Sequence, residues 1–158
     1  MATDLAILGR LVVTLLLAGA IGWERERAHK AAGIGTHMLV GLSATLFMAL
    51  GNLVTVQFPA PPEALSFNPF SIMQAIVTGV SFLGAGVIIV RRGKEVVHGL
   101  TTAASILATA AIGIAVALER YLLAAGTTAL ILIVLRSIPA LEKIVGMSPE
   151  GAPTRDRA

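Results

Sequence analysis

The chain of 158 residues contains no cysteine and is poor in charged and aromatic residues. Without cysteine, the protein cannot form disulfides, use a thiolate in catalysis or build a thiolate metal site. Aromatic residues make up 4% of the chain and basic residues are scattered among apolar runs, a composition that does not indicate nucleic-acid binding. Charged residues make up 13%, about half the share found in typical soluble domains.

Catalytic motifs are missing as well. The sequence shows no P-loop, dinucleotide fingerprint, HExxH pair or Ser-His-Asp arrangement. We therefore expect a protein that is not an enzyme and that carries no cofactor.

Apolar sequence is abundant, because 56% of the residues are hydrophobic. Five segments have roughly the 18–24 residues that a helix needs to cross a hydrocarbon layer. They are Leu5–Gly22, Gly35–Phe58, Ile72–Val90, Leu100–Leu118 and Tyr121–Ile138. None of them alternates with the period of two that strands would show. The predicted fold class is all-α: a polytopic transmembrane bundle of five helices over residues 1–145, followed by a disordered cytoplasmic tail over 146–158.

Basic residues are concentrated on one side of this bundle. The densest charge lies in Trp23–Lys30, predicted to be a surface loop, and the loop of residues 59–71 contains no basic residue. The positive-inside rule then places the N-terminus outside and the C-terminus in the cytoplasm. Arg10 lies inside the first segment, where we expect a structural role and a side chain that snorkels outward. The basic residues of the two long cytoplasmic loops are Arg25, Arg27, Lys30, Arg91, Arg92 and Lys94.

Small residues recur at four-residue spacing along the predicted helices. Small side chains let helix backbones approach closely, and Ser or Thr hydroxyls can hydrogen-bond across the contact. Ordinary helix packing is the preferred interpretation, and a hydroxyl-lined substrate path near a helix break at 84–86 is the alternative. No carboxylate lies in the middle of a segment, which argues against an ion-coupled pump. The small residues are Thr14, Ala18 and Gly22, then Gly41, Thr45 and Ala49, and finally Thr101, Ser105, Thr109, Gly113 and Ala117.

Two cytoplasmic stretches, residues 33–36 and 99–102, share a Gly-x-x-Thr pattern and begin a helix. Threonine suits an N-cap, because its hydroxyl accepts hydrogen bonds from free amides of the first turn. Two helix N-termini together with Arg25, Arg91, Arg92 and Lys94 favour an anion, such as a lipid headgroup, a phosphorylated solute or an acidic partner surface. The alternative is that these charges only set the topology and bind anionic lipid.

Glu24, Glu26 and Glu95 are the candidates for a magnesium site, since Mg²⁺ prefers one or two carboxylates with retained waters. On a helix, Glu24 and Glu26 would diverge by about 200° and would not share an ion easily, whereas in an extended loop they would share a face. The alternating Glu-Arg-Glu-Arg run then has the simpler interpretation of a self-neutralised surface stretch.

Four stretches together resemble the MgtC/SapB family of bacterial inner-membrane proteins. They are Gly22–Glu26, Ala32–Val40, Val80–Ile88 and Val97–Ser105, continued by residues 110–113. Their order and spacing fit across roughly residues 5–138. The chain departs from the family at Gly35, where an arginine is usual, and at Leu107, where tryptophan is frequent.

The resemblance implies a multi-pass protein of the bacterial inner membrane that is linked to low-magnesium adaptation and to virulence. It is similar to the short form, without the soluble C-terminal domain of longer relatives. The implied role is regulatory, through an F-type ATP synthase or a P-type magnesium-transporting ATPase, with self-association as a homo-oligomer within the phospholipid membrane. The alternatives are a small transporter or channel for Mg²⁺ or another solute, and a lipid-binding structural protein. The residues expected to matter are Glu24, Arg25, Gly33, Thr36, Gly84, Gly86, Gly99, Thr101 and Thr102.

Overall fold

The computed structural model describes residues 2–57, 69–90 and 97–145, with side chains over 3–57, 70–88 and 98–137. The described chain contains five α-helices and one short antiparallel strand pair. The helices are α1 (Ala2–Arg27), α2 (Ile34–Gln57), α3 (Pro69–Val87), α4 (Leu100–Ala117) and α5 (Tyr121–Val145). The strands are β1 (Ile89–Val90) and β2 (Val97–His98), paired Ile89 with His98 and Val90 with Val97. The all-α prediction with five helices is confirmed.

Helix α4 lies at the centre of the bundle and packs against the other four helices. One face of α4 contributes Ile106 and Ala110 to a core shared with α2 and α3. Another face contributes Ile112 and Val116 to a second core shared with α1 and α5. A single central helix therefore holds both apolar cores together.

Four of the five helices are long and apolar enough to cross a membrane: α1, α2, α3 and α4. In α5 the apolar part with described side chains is shorter and spans Tyr121–Ser137. The whole helix has 25 residues. A helix of that length extends about 38 Å, more than the thickness of a hydrocarbon core. The chain is thus a helical membrane protein, and its orientation across the membrane stays a prediction.

Three helices end at least three residues away from the predicted last residue. Helix α1 continues through the charged stretch to Arg27, so most of the predicted loop Trp23–Lys30 is helical. Glu and Arg are good helix formers, and basic residues in a last turn interact favourably with the helix dipole. Helix α3 ends at Val87 and gives way to β1, three residues before the predicted end. Helix α5 continues past Pro139 to Val145, seven residues beyond the predicted end at Ile138.

Helices α1 and α4 each end at a non-glycine residue in the left-handed conformation. His29 has φ 52° and Glu119 has φ 61°. At both ends this residue donates its N–H to a carbonyl three residues back, and the next residue donates to a carbonyl five residues back. This is the hydrogen-bond pattern of the Schellman motif, in which glycine is the usual left-handed residue.

The predicted tail, residues 146–158, lies outside the described residues, and so does the loop of residues 58–68. Residues 91–96 are outside them as well, including Arg91, Arg92, Lys94 and Glu95. The predicted anion contacts and the third metal candidate therefore stay predictions.

Candidate functional site

Two buried threonines join three helices at one level of the bundle. The hydroxyl oxygens of Thr14 on α1 and Thr45 on α2 lie 2.8 Å apart. The Thr45 hydroxyl donates to the carbonyl oxygen of Gly113 on α4, 2.9 Å away. Both threonines are fully buried. We call this group of Thr14, Thr45 and the Gly113 carbonyl the threonine junction.

Glycine makes the close contact of α2 and α4 at this level possible. A Cβ atom at Gly113 would lie 2.6 Å from the carbonyl oxygen of Gly41, far inside van der Waals contact. A Cβ atom at Gly41 would lie 2.9 Å from a methyl carbon of Thr14. The prediction that small residues line the helix contacts, with hydroxyls bonded across them, is confirmed here.

A second buried polar group lies toward the start of α2. His37 is fully buried, with Nδ1 2.9 Å from the carbonyl oxygen of Gly33 and Nε2 3.1 Å from the hydroxyl oxygen of Ser105 on α4. Ser105 also lies within hydrogen-bonding distance of the Thr102 carbonyl, at 2.8 Å. The imidazole thus connects the beginning of α2 to the first turns of α4.

The carbonyl of Gly33 fixes the position of one imidazole proton. A carbonyl oxygen only accepts hydrogen bonds, so Nδ1 of His37 must donate. In the neutral ring, Nε2 then accepts from the Ser105 hydroxyl, which leaves the Thr102 carbonyl without that donor. In the charged ring, Nε2 donates to Ser105, and the hydroxyl is free to donate to Thr102. The direction of the hydrogen bonds therefore depends on the protonation state of His37.

Arg25 is a buried cation near the end of α1. Only 3% of the residue is exposed, and its Nε donates to a carboxylate oxygen of Glu24, 2.7 Å away. Glu24 itself is largely covered, with 12% of its side chain exposed. Burial of a charge is costly unless it is paired, so Glu24 compensates the guanidinium of Arg25. The predicted site residues Glu24 and Arg25 thus form one ion pair.

The neighbouring carboxylate, Glu26, has a different partner. It accepts a hydrogen bond of 2.9 Å from the backbone N–H of Ile34, the first residue of α2. A Cβ atom at Gly33 would lie 2.5 Å from this carboxylate, so the glycine leaves room for it. The expected threonine cap is therefore wrong at this helix: Thr36 lies exposed inside the first turn, and Glu26 supplies the acceptor. The Glu26 carboxylate therefore already occupies the N-terminus of α2.

The start of α4 also lacks a threonine cap. Gly99 occupies the N-cap position with φ 92° and makes no side-chain capping hydrogen bond. A Cβ atom there would lie 2.5 Å from the carbonyl oxygen of Val87 at the end of α3. Thr101 is half-buried and Thr102 is buried in the first turn, where Thr102 takes part in the His37–Ser105 contact through its carbonyl.

The two predicted glycines of α3 have different surroundings. Gly84 is buried and a Cβ atom there would be 3.4 Å from the Cβ of Ala103 on α4, an ordinary contact. Gly86 is exposed and has open space around it. Helix α3 continues through both residues, so the helix break at 84–86 that belongs to the alternative of a substrate path is not observed.

Arg10 on α1 contacts the C-terminal end of α4. Its guanidinium donates to the carbonyl oxygen of Ala117, the last residue of α4, at 3.2 Å and also pairs with Glu119. The predicted structural role of Arg10 is confirmed, with partners in the protein instead of lipid headgroups.

Helices α2 and α3 leave an apolar groove of about 990 Å³ between them. Its walls include Leu39 and Phe47 on α2 and Ile72, Ile76 and Leu83 on α3. Because both helices are candidate membrane spans, we expect this groove to face the hydrocarbon of the membrane. We call it the α2–α3 groove.

Within the described residues, no cluster of three or more His, Asp or Glu side chains has a geometry that fits a metal ion. Glu24 and Glu26 bond to different partners, on Arg25 and Ile34. Metal binding at these carboxylates stays a prediction.

Comparison with known proteins identifies the family. The MgtC family matches residues 11–144 of the chain. The chain is 40% identical over 112 residues to "Putative magnesium transporter YhiD" of Escherichia coli K12 and 31% identical over 143 residues to Protein SapB of Bacillus subtilis. It is 36% identical over 104 residues to Protein MgtC of Brucella abortus. No solved structure matches the chain.

The fold and the buried polar contacts define a polytopic helical membrane protein. By sequence, the chain belongs to the MgtC family. The match to YhiD covers 71% of this chain and 51% of YhiD, the match to SapB 90% and 61%, and the match to the Brucella protein 66% and 39%. The chain thus spans about half the length of the first of these curated relatives.

Proposed function

We propose that this protein is a non-enzymatic regulator in the bacterial inner membrane that supports magnesium homeostasis by contacting other membrane proteins. The observation that carries the proposal is the internal pairing of its polar core. In the described part of the chain, every buried side-chain nitrogen or oxygen has a hydrogen-bond partner. Hydroxyls bonded in this way hold helices together and are not turned toward a solute.

The α2–α3 groove supports action through a partner. Apolar grooves between helices are places where another helix can insert its side chains, and small residues allow close approach. The groove offers both features, because large apolar walls alternate with Ala44, Gly51, Ala75 and Gly79. A membrane-spanning helix of a partner protein fits this surface.

The link to magnesium rests on the names of relatives, which include a magnesium transporter name for YhiD and the name MgtC for the Brucella protein. The family resemblance adds two partner classes to the proposal. They are an F-type ATP synthase, and a P-type ATPase that transports magnesium.

A small oligomeric transporter for Mg²⁺ or another solute is the second candidate. One observation favours it: hydroxyls follow one another at successive levels between α1, α2 and α4. Thr14 and Thr45 occupy one level, and Thr109 and Ser105 lie farther along α4 toward its N-terminus. A solute path along these groups would require their present hydrogen bonds to open.

Flux measured with the purified full chain separates the two candidates. The protein is reconstituted in liposomes that contain a magnesium-sensitive dye, and Mg²⁺ is added outside. We expect no flux above that of protein-free liposomes. Flux that depends on this protein alone would overturn the regulatory proposal as a complete account.

Site-specific photocrosslinking tests the partner. A photoreactive residue is placed at Phe47 or Leu83 in the α2–α3 groove, with Leu122 on α5 as the control because it is 89% exposed. In membranes of cells grown at low magnesium, we expect a subunit of one ATPase to be captured from the groove positions and not from Leu122. Equal capture from all three positions contradicts a specific partner surface.

A further inference from the structure

Of the three histidines in the chain, His37 is the one that is fully buried, and it connects two separate parts of the bundle. Its Nδ1 contacts the Gly33 carbonyl between α1 and α2, and its Nε2 contacts the Ser105 hydroxyl on α4. By contrast, His29 is exposed and His98 is half-buried. Histidine is the side chain that ordinarily changes charge near neutral pH. A buried histidine that joins two helices can therefore make their contact depend on pH.

Hydrogen bonding at His37 is compatible with both protonation states. The Nδ1–H donates to the Gly33 carbonyl in either state, while the Ser105 hydroxyl either donates to Nε2 or accepts from it. When the ring is charged, the Thr102 carbonyl accepts the hydrogen bond from Ser105. Hydrogen bonding therefore does not select a protonation state, and the surrounding charges decide it.

The charged side chains that act on the His37 ring both come from α1. They are Arg25 and Glu24, which already form a largely buried ion pair with each other. Glu26, the next carboxylate, is exposed and is bonded to the Ile34 N–H instead. Helices α2 and α4 contain no Asp, Glu, Lys or Arg. A proton on His37 would therefore add a buried positive charge that has no carboxylate of its own.

We propose that protonation of His37 opens the contact between the first turns of α2 and those of α4. The closed form has a neutral ring, and the open form has a charged ring that reaches water. A buried charge without a partner is costly, and contact with water removes that cost. Because opening takes up one proton, the open share rises as pH falls, and the equilibrium constant for opening increases at most about tenfold per pH unit.

The opening is confined to one end of the bundle. Thr45 lies about two turns after His37 on α2, and its hydroxyl donates to the Gly113 carbonyl of α4. Neither of these groups changes charge near neutral pH. The threonine junction therefore holds the rest of α2 against α4 while the first turns separate.

The α2–α3 groove is coupled to this movement. Leu39 and Val40, two and three residues after His37, both line the groove. A displacement of the first turns of α2 therefore changes the shape of the groove at that end. The switch goes beyond the proposed regulatory function and does not depend on it, because it is a property of the single chain.

Distances between spin labels measure the opening, since the natural chain contains no cysteine. One label pair is placed at Thr36→Cys and Ala104→Cys, exposed positions early in α2 and α4. The reference pair is Leu46→Cys and Ala111→Cys, exposed positions near the threonine junction. The purified full chain in lipid nanodiscs is measured between about pH 8 and pH 5, the range in which histidine changes charge. We expect a longer distance to appear at low pH for the first pair and a constant distance for the reference pair.

Single replacements assign the response to His37. His37→Gln keeps a donor and an acceptor but does not titrate, so we expect one distance at every pH. The controls His29→Asn and His98→Gln remove the other histidines and are expected to retain the response. Asparagine suits position 29 because it tolerates the left-handed backbone there. Arg25→Gln leaves the Glu24 carboxylate free to balance a charged ring, so the opening constant at a given low pH should fall at least about tenfold.

The proposal fails if the first label pair keeps one distance down to the lowest pH, or if His37→Gln or Arg25→Gln opens as the wild type does. It also fails if both label pairs separate together, because this indicates general unfolding. If His37→Gln does not fold, the wild type still decides the question. Its ¹⁵N-labelled His37 ring must then gain a proton over the same pH range in which the longer distance appears, and a ring that stays neutral while the contact opens contradicts the switch.

Discussion

The hydroxyl oxygens of Thr14 and Thr45, 31 residues apart in sequence, lie 2.8 Å from each other in the fully buried contact of α1 and α2. The Thr45 hydroxyl donates a hydrogen bond to the carbonyl oxygen of Gly113 on α4. Interhelical hydrogen bonds are directional, so they constrain the rotation and depth of one helix against another inside a membrane. The threonine junction is therefore a good place to test the fold.

Thr45→Val removes the hydroxyl and keeps the shape of the side chain. We expect the protein to lose about 1 kcal/mol of stability, since the Thr14 hydroxyl and the Gly113 carbonyl both lose an interhelical partner. Thermal unfolding in detergent measures the change. The control is Thr128→Val, because Thr128 is also buried but donates only to Ala124 of its own helix. Equal losses for both variants would show that the junction has no special role.

Gly113→Ala tests the close contact of α2 and α4. The added Cβ would meet the Gly41 carbonyl oxygen at 2.6 Å, and relief of this overlap requires the two helices to separate. Overpacking of this kind destabilises by about 1–3 kcal/mol. In the same unfolding assay, Gly126→Ala on α5 is expected to be neutral or stabilising, because its Cβ would meet no atom within 4 Å. A stable Gly113→Ala protein would contradict the contact.

His29→Gly is expected to stabilise the protein. His29 ends α1 with φ 52°, a conformation that glycine adopts without the steric cost of a side chain. We expect a gain of about 0.5–1 kcal/mol after the greater flexibility of glycine in the unfolded chain is included. Glu119→Gly relieves the same strain but removes the ion pair with Arg10, so its gain should be smaller. A larger gain for Glu119→Gly would argue that this ion pair contributes nothing.

Nuclear magnetic resonance of ¹⁵N-labelled histidine tests the proton position at His37. Because the Gly33 carbonyl accepts from Nδ1, the neutral ring should carry its proton on Nδ1 and leave Nε2 bare. Ser105→Ala removes the hydroxyl near Nε2 and should shift the Nε2 resonance while Nδ1 stays protonated. A neutral ring with its proton on Nε2 would contradict the Gly33 contact.

The orientation of the chain is tested with single cysteines outside the described residues. Glu63→Cys and Arg92→Cys are expected to react with a membrane-impermeant reagent from opposite sides, with Arg92→Cys reacting from the cytoplasm. Labelling of both from the same side would overturn the predicted topology.

The five helices could be predicted from the sequence because the length of an apolar run is a direct consequence of membrane thickness. The small residues around Gly41 and Gly113 also indicated close helix contacts. The sequence did not show which acceptor caps α2, because Glu26 reaches Ile34 only after the chain has turned between the two helices. Nor did it pair Arg10 with Glu119, since 109 residues separate them and only the packing of α1 on α4 brings them together.

The central position of α4 has a consequence for biogenesis. Helices α1 and α2 leave the ribosome first and can already join through Thr14 and Thr45. Their shared face, which includes Gly41 and Ala44, then remains open to lipid until residues 100–117 have been synthesised. A delay in translation or insertion between α2 and α4 therefore prolongs the lifetime of an intermediate in which α1 and α2 are paired but α4 is absent. The order of the helices along the chain thus sets the order in which the core can form.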